Sequence, residues 1–152
     1  MVNGSGLSKL YIATAQAYDA EMSDKIAAHK IARGEGWQTI EAPLDVCTAI
    51  SAQPEGCATL LDCATMWLSN ILLDDRDIDR ESADLLAALS AAPGPVVVVS
   101  NEVGAGIVPE NALARRFRNA QGRLNQQIAA QADTVVLVAA GLPLVLKGAL
   151  PA

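Results

Sequence analysis

The chain has 152 residues, 51% hydrophobic and 18% charged, which is enough to bury the core of one soluble globular domain. Its formal net charge of -6 argues against a nucleic-acid surface, because such a surface requires a clustered basic patch. The longest apolar run, 135–146, contains a glycine and a proline and is too short for a bilayer of about 30 Å. Because no signal peptide precedes the first apolar segment, we expect a cytoplasmic protein without a membrane span.

Short apolar runs bounded by small or turn-forming residues predict strands, and a 3.6-residue apolar period predicts helices between them. In chain order, the predicted strands are 10–14, 37–41, 58–63, 96–100 and 134–139. The predicted helices are 19–32, 81–91 and 109–132, and the charged stretch 74–79 is predicted to be a solvated loop. Alternating strands and helices predict a single α/β domain over residues 1–152, with a mainly parallel sheet flanked by helices.

Polar side chains follow three of the predicted strands at the points where the strands end. They are Thr14, Ala15 and Gln16 after the first strand, Asp62 with Thr65, and Ser100, Asn101 and Glu102. Ligands of parallel sheets bind beyond the carboxyl ends of the strands, so these residues are expected at the rim of a small-molecule site. An acid in the position of Asp62 is suited to holding hydrated Mg²⁺ beside a phosphate, although a role as helix cap or turn residue explains it equally well.

His29 is the one histidine, and the predicted helix 19–32 places it on the same face as Met22, Ile26 and Arg33. An imidazole, with its ordinary pKa of about 6.5, can act as a nucleophile near neutral pH. Neighbouring cations would offset the charge that grows on phosphate oxygens during phosphoryl or nucleotidyl transfer. A packed or surface histidine is the alternative interpretation of this residue.

Two further patterns involve phosphate-binding residue types. The predicted long helix carries arginines at positions 115, 116, 118 and 123. For these arginines, a solvated helix face or pairing with acids of a neighbouring subunit is favoured over phosphate binding. A P-loop requires G-x-x-x-x-G-K-[ST], and the sequence contains no match. The superficially similar stretch 4–9 lacks the final Gly-Lys-Ser/Thr, and no strand is predicted before it.

Taken together, several segments resemble one family. They are YIATAQ (11–16), DAEM (19–22) leading into KIAAHK (25–30), WQTIEAP (37–43), LLDCATMWLSN (60–70), VSNEVGAGIVPE (99–110), FRNAQGRLNQ (117–126) and AGLPL (140–144). In this order they resemble the bifunctional adenosylcobinamide kinase/adenosylcobinamide-phosphate guanylyltransferase of cobalamin biosynthesis, over about residues 5–147. The resemblance is specific because many motifs match in sequence order.

The resemblance implies a P-loop NTPase-like nucleotide-binding domain that phosphorylates adenosylcobinamide and then transfers GMP from GTP to the product through a guanylyl-histidine. It implies that His29 is the guanylylated residue. It also implies a set of nucleotide contacts, namely Thr14, Ala15, Gln16, Lys30, Ile31, Ala32, Arg33, Glu41 and Asp62. Asp62 would be the Mg²⁺-side acid. The implied ligands are GTP, or ATP as phosphate donor, with Mg²⁺, and the implied assembly is a homo-oligomer, with a trimer as one candidate.

The family pattern begins with a strand, a P-loop and a helix, and this chain starts where that helix ends. A truncated sequence or a genuinely shortened relative would explain the difference, and the first is favoured. The loss of the first strand, the P-loop and the first helix predicts unpaired sheet edges, marginal stability and a weak or inactive kinase.

Two other functions remain open. One is a non-catalytic module that binds a nucleotide or corrinoid, and the other is an interaction subunit that pairs through an exposed sheet edge. The sequence leaves open whether GTP or ATP is the donor in the kinase step and which residues form the corrinoid pocket.

Overall fold

The computed structural model describes residues 1–16 and 20–150, except for the side chains of residues 20–23, 25 and 26. Asp19, the predicted start of the first helix, and the side chains of Met22 and Ile26 therefore lie outside the described part. The chain divides into two compact units, Met1–Asn101 and Glu102–Ala152, which are described separately. The organisation of residues 1–152 as one domain stays a prediction.

The first unit is a parallel sheet with helices between its strands. Its elements are a 3₁₀ turn (Val2–Gly4), β1 (Ser8–Ala13), α1 (Ala20–Arg33), β2 (Trp37–Glu41), α2 (Val46–Ser51), β3 (Cys57–Asp62), α3 (Ala64–Leu73), α4 (Ile78–Ser90) and β4 (Val96–Val99). The four strands pair in the order β2-β1-β3-β4, all parallel. This confirms the predicted α/β class and the four predicted strands of this unit, to within two residues at their ends. Helices α2 and α3 were not predicted.

One face of this sheet forms the core of the unit. Leu10, Ile12 and Leu61 are almost wholly buried, and they alternate along β1 and β3 with residues of the opposite face. Trp67 and Ile71 of α3 are fully buried as well. The opposite face carries Tyr11, Glu41 and Asp62. Burial of the first face therefore fixes which side chains are presented on the second.

Helix α4 begins earlier than predicted, at Ile78 instead of position 81. The Asp77 carboxylate caps it by accepting hydrogen bonds from the backbone N–H groups of Asp79 and Arg80, both at 3.1 Å. The predicted charged loop 74–79 is therefore shorter than expected. Arg76 within it pairs with Asp74 at 2.8 Å and with Glu81 at 3.5 Å.

The second unit contains α5 (Ala112–Gln131) and an antiparallel hairpin of β5 (Val135–Ala139) and β6 (Leu142–Lys147). The strand predicted at 134–139 is observed as β5, and it turns back through Ala140 and Gly141 (φ 52° and 77°) to pair antiparallel with β6. Helix α5 starts at Ala112 and not at Pro109, because the Asn111 side chain caps its first turn. No described helix is long and apolar enough to cross a membrane.

Candidate active site

The carboxyl ends of the strands form one row of residues across the sheet. Ala13 of β1 is in register with Glu41 of β2 and with Asp62 of β3, and Asp62 is in register with Val99 of β4. Neighbouring strands lie about 4.8 Å apart, so the backbones of Glu41 and Asp62 are separated by about 10 Å. In-register residues of adjacent strands share a face, which places both carboxylates on the same side of the sheet. Glu41 is exposed, and Asp62 is partly buried.

Thr14 follows this row and is fully buried. Its hydroxyl donates to the carbonyl of Cys63 at 2.9 Å and accepts from the backbone N–H of Cys63 at 2.8 Å. Its own N–H donates to the carbonyl of Asp62 at 3.2 Å. The predicted contact residue therefore uses its hydroxyl to hold the backbone that carries Asp62. Ala15 and Gln16 follow it and are partly buried.

Cys63 lies beside Asp62, and its sulfur caps α3 by accepting a hydrogen bond from the N–H of Met66 at 3.4 Å. Burial raises the pKa of the Cys63 thiol. Because the thiolate and not the thiol is the reactive form, this environment suits a packed cap and not a nucleophile.

The Asp62 carboxylate is tied to the end of α1 through Tyr11. The Tyr11 hydroxyl donates a hydrogen bond to Oδ2 of Asp62 at 2.7 Å. The guanidinium carbon of Arg33 lies 3.4 Å from the centre of the Tyr11 ring, in a cation–π contact. The structure thus brings two predicted site residues, Arg33 and Asp62, onto one aromatic side chain.

Tyr11 was missed in the sequence analysis. It is 8% exposed, and burial together with the hydrogen bond to Asp62 raises its pKa. A signal was present in the sequence, because a tyrosine within the otherwise aliphatic run of β1 needs a partner for its hydroxyl once it is buried. The pattern could not show which carboxylate that partner would be.

The other predicted residues of α1 lie in its last turns. His29, Lys30, Ile31 and Ala32 are exposed, with 82% of Ile31 accessible, whereas Arg33 is partly buried. His29 precedes Arg33 by four residues, so both project from the same side of the helix. Cations at a helix C-terminus also interact favourably with the helix dipole, which gives Lys30 and Arg33 a structural role besides any contact with phosphate. Within the described residues, the stretch 29–32 and Glu41 are not part of the hydrogen-bonded group around Asp62.

The loop after β4 completes the edge in the first unit. The Thr65 hydroxyl accepts a hydrogen bond from the backbone N–H of Asn101 at 2.8 Å and lies 3.4 Å from the Ser100 hydroxyl. This confirms the predicted meeting of the polar ends of β3 and β4. Glu102 belongs to the second unit, where its carboxylate accepts from the N–H of Gly104 at 2.8 Å.

Three other cationic side chains, of Lys9, Arg115 and Arg118, donate hydrogen bonds to backbone carbonyl groups. Lys9 lies at the amino end of β1, where its ammonium donates to the carbonyl of Glu35 at 3.0 Å and sits 5.3 Å from the centre of the Trp37 ring. In the second unit, Arg115 donates to the carbonyl of Pro109 at 2.9 Å, and Arg118 donates to the carbonyl of Gly104. These arginines fasten the 104–110 loop to α5.

Asp62 is the residue that best fits a divalent cation. Mg²⁺ at nucleotide sites is bound by one or two carboxylates together with phosphates and water. Among the described residues, no three His, Cys, Asp or Glu side chains come together as a metal site. A partly buried carboxylate with one oxygen held by Tyr11, at the carboxyl end of a parallel strand, meets the requirement for a single protein ligand.

Similar proteins point to one family. Residues 1–146 match the family described as cobinamide kinase / cobinamide phosphate guanyltransferase. The chain is 44% identical to the bifunctional adenosylcobalamin biosynthesis protein CobP of Pseudomonas aeruginosa, covering 95% of this chain and 85% of the relative. It is 42% identical to the bifunctional adenosylcobalamin biosynthesis protein CobU of Salmonella typhimurium, with 95% and 88% covered, and 40% identical to that of Escherichia coli, with the same coverage.

Proposed function

Because the chain belongs to the cobinamide kinase / cobinamide phosphate guanyltransferase family, we propose that it catalyses both reactions in cobalamin biosynthesis. In the first, the aminopropanol hydroxyl of adenosylcobinamide attacks the γ-phosphorus of a nucleoside triphosphate, and the nucleoside diphosphate leaves. In the second, GMP passes from GTP to the adenosylcobinamide phosphate so formed, and pyrophosphate leaves. The donor in the first step is GTP or ATP.

One observation carries this proposal. The chain of contacts from Arg33 through Tyr11 to Asp62 joins the end of α1 to the carboxyl end of β3. The end of α1 bears a histidine flanked by cations, and the end of β3 bears a carboxylate. Phosphoryl and nucleotidyl transfer require a nucleophile, cations and a metal-side acid around one triphosphate. The contacts of Tyr11 support the proposal because they join α1, which bears the histidine and cations, to β3, which bears the carboxylate.

His29 is assigned as the nucleophile of the second reaction. A neutral imidazole nitrogen attacks the α-phosphorus of GTP, so that a P–N bond forms as the bond to pyrophosphate breaks. A phosphate oxygen of adenosylcobinamide phosphate then attacks the same phosphorus, forming a P–O bond as the P–N bond breaks. Two displacements replace one harder displacement. The exposed position of His29 leaves it accessible to both substrates.

The other proposed site residues bind the phosphates, the metal or the nucleotide. Lys30 and Arg33 offset the charge that develops on the phosphate oxygens. Asp62 would hold Mg²⁺, which when bound neutralises charge on the triphosphate. The other assigned nucleotide contacts are Thr14, Ala15, Gln16, Ile31, Ala32 and Glu41. Thr14 makes its contribution through the backbone around Asp62, because its buried hydroxyl donates to and accepts from the backbone of Cys63.

The two reactions can be separated with one substitution. The purified chain is incubated with adenosylcobinamide, Mg²⁺ and either GTP or ATP, and the phosphorylated and guanylylated products are resolved by chromatography. His29→Ala should abolish the guanylylated product while phosphorylation continues. Asp24→Ala serves as the matched control, because Asp24 is another exposed residue of α1 and should leave both products within about twofold.

The assay is run on the chain as it stands and on a version extended by a P-loop segment of the family type. The weak kinase activity expected from the lack of a P-loop motif is a prediction that this comparison tests directly. If His29→Ala still yields guanylylated product in either version, the assignment of the nucleophile is wrong.

We also propose a cytoplasmic homo-oligomer. In the second unit, the side chains of Leu142, Leu144 and Leu146 on β6 are 71%, 55% and 61% exposed, and apolar surface of this kind favours association. Sedimentation equilibrium should give a mass of at least two chains of 15.8 kDa each. A monomer at micromolar concentration would contradict this proposal.

A further inference from the structure

Tyr11 makes two contacts that no other described side chain combines. Its hydroxyl lies 2.7 Å from Oδ2 of Asp62, and its ring lies 3.4 Å from the guanidinium carbon of Arg33. It sits in β1, two residues before the row formed by the carboxyl ends of the strands. One side chain in a central strand therefore touches a residue of α1 and a residue of β3.

The hydrogen bond to Asp62 has a fixed direction. A carboxylate is acceptor-only, so the phenol must be the donor, and a bond to a charged acceptor is among the stronger ones. The hydroxyl therefore donates to one oxygen of Asp62, and this restricts rotation of the carboxylate.

The ring is held on its other sides as well. The Trp37 ring meets it edge-on, with centroids 6.1 Å apart and planes at 89°. One guanidinium nitrogen of Arg33 is buried without a hydrogen-bond partner among the described residues, and the guanidinium also lies 6.0 Å from the centre of the Trp37 ring. A tyrosine packed in this way cannot move without moving Arg33 or Asp62.

Resting on the function proposed above, we propose that Tyr11 is a positioning residue: it fixes the Asp62 carboxylate and the last turn of α1 relative to each other. It does not touch the reacting atoms. It sets the orientation of the metal-side acid and, through Arg33, the position of the helix end that bears His29. The Asp62 carboxylate and His29 are then already oriented toward the same triphosphate when it binds.

Tyr11→Phe tests this, because it removes only the hydroxyl and keeps the ring that stacks on Arg33. The first readout is equilibrium binding of GTP with and without Mg²⁺, which requires no turnover. Because the proposed role of the Tyr11 hydroxyl is exerted through the Mg²⁺-side acid, affinity without Mg²⁺ should stay within about twofold, whereas the gain in affinity on adding Mg²⁺ should shrink by about fivefold to tenfold. The single-turnover rate of histidine guanylylation should fall by a similar factor.

Gln38→Ala is the control. Gln38 is an exposed residue of β2 on the face of the sheet opposite Tyr11, so its variant should retain the gain in affinity produced by Mg²⁺. Thermal unfolding of each variant checks that the fold persists. A loss specific to Tyr11→Phe would support the positioning role.

The outcomes separate the two proposals. If the wild-type chain binds GTP with a Mg²⁺-dependent gain and Tyr11→Phe keeps both this gain and the guanylylation rate within twofold, Tyr11 is structural only and the inference is overturned. If neither the wild-type chain nor its P-loop-extended version binds GTP or becomes guanylylated, the proposed function fails and takes this inference with it.

Discussion

The side-chain amide of Asn70 donates hydrogen bonds to the carbonyl of Thr14 and to the carbonyl of Pro43, both at 2.9 Å. Asn70 lies on α3 and is 6% exposed, and its two acceptors follow the ends of β1 and β2. One buried amide therefore fixes the segments that leave two neighbouring strands. Helix α3 thus stabilises the carboxyl edge of the sheet.

Replacing Asn70 should loosen this edge. In Asn70→Ala, two buried carbonyl groups lose their donor, and we expect a loss of about 2 kcal/mol in the free energy of unfolding. Urea denaturation measures the loss. Asn119→Ala on the exposed face of α5 should change stability by less than about 0.5 kcal/mol. Equal effects of the two variants would contradict the bracing role of Asn70.

Thr14 offers a test of its hydroxyl alone. Thr14→Val keeps the shape but leaves the N–H and carbonyl of Cys63 without this partner, so we expect a loss of about 2–3 kcal/mol. Thr14→Ser restores the hydroxyl at the cost of a methyl group, and should lose only about 1 kcal/mol. If valine is tolerated as well as serine, the hydroxyl bridge contributes nothing to stability.

The charge of Asp62 should matter more for activity than for folding. Asp62→Asn keeps an acceptor for the Tyr11 hydroxyl but removes the negative charge, and we expect guanylylation to fall about a hundredfold or more. Single-turnover labelling measures this rate. The control is Glu55→Gln, an exposed acid in the loop that precedes β3, at the opposite end of the strand. A rate for Asp62→Asn within twofold of wild type would remove Asp62 from the site.

The environment of Tyr11 also predicts how stability depends on pH. Its pKa is raised in the folded protein above the ordinary value of about 10. A raised folded pKa gives stability that is fully present below the unfolded pKa and is lost as the pH rises through the folded pKa. The stability advantage of the wild-type chain over Tyr11→Phe, about 1.5 kcal/mol, should therefore be constant from pH 7 to about 9 and shrink above about 10. Urea denaturation at several pH values measures it, and an advantage that grows above pH 10 would show that the phenol is not buried against Asp62.

The parts of the fold that the sequence predicted were those with clear patterns. The apolar runs of β1, β3 and β4 and the short segment Trp37–Glu41 all appear as strands. Helix α3 was not predicted, because its sequence ATMWLSNILL is apolar on nearly every side and a buried helix shows no amphipathic period. Strand β6 was not predicted, because it contains Pro143 and its turn uses an alanine with positive φ. Neither feature is a usual signal of a hairpin.

The site was predicted in part. Order along the sequence sufficed to bring Thr14, Asp62 and Thr65 to one edge, because parallel strands end on the same side. The family assignment made from the motifs is confirmed over residues 1–146. The link through Tyr11 could not be predicted, since it depends on the register of β1 and β3 and on where α1 packs, and no local spacing encodes either. The roles of His29 and of the nucleotide contacts stay predictions.

The central claim is that His29 accepts GMP, and the most direct measurement is to find the residue that carries it. The chain and its P-loop-extended version are incubated with [α-³²P]GTP and Mg²⁺, digested, and the labelled peptide is identified by mass spectrometry. The account predicts one labelled peptide containing His29, bearing a phosphoramidate that is stable to alkali and labile to acid, and no label in His29→Ala. Label on another residue, or undiminished label in His29→Ala, would contradict it.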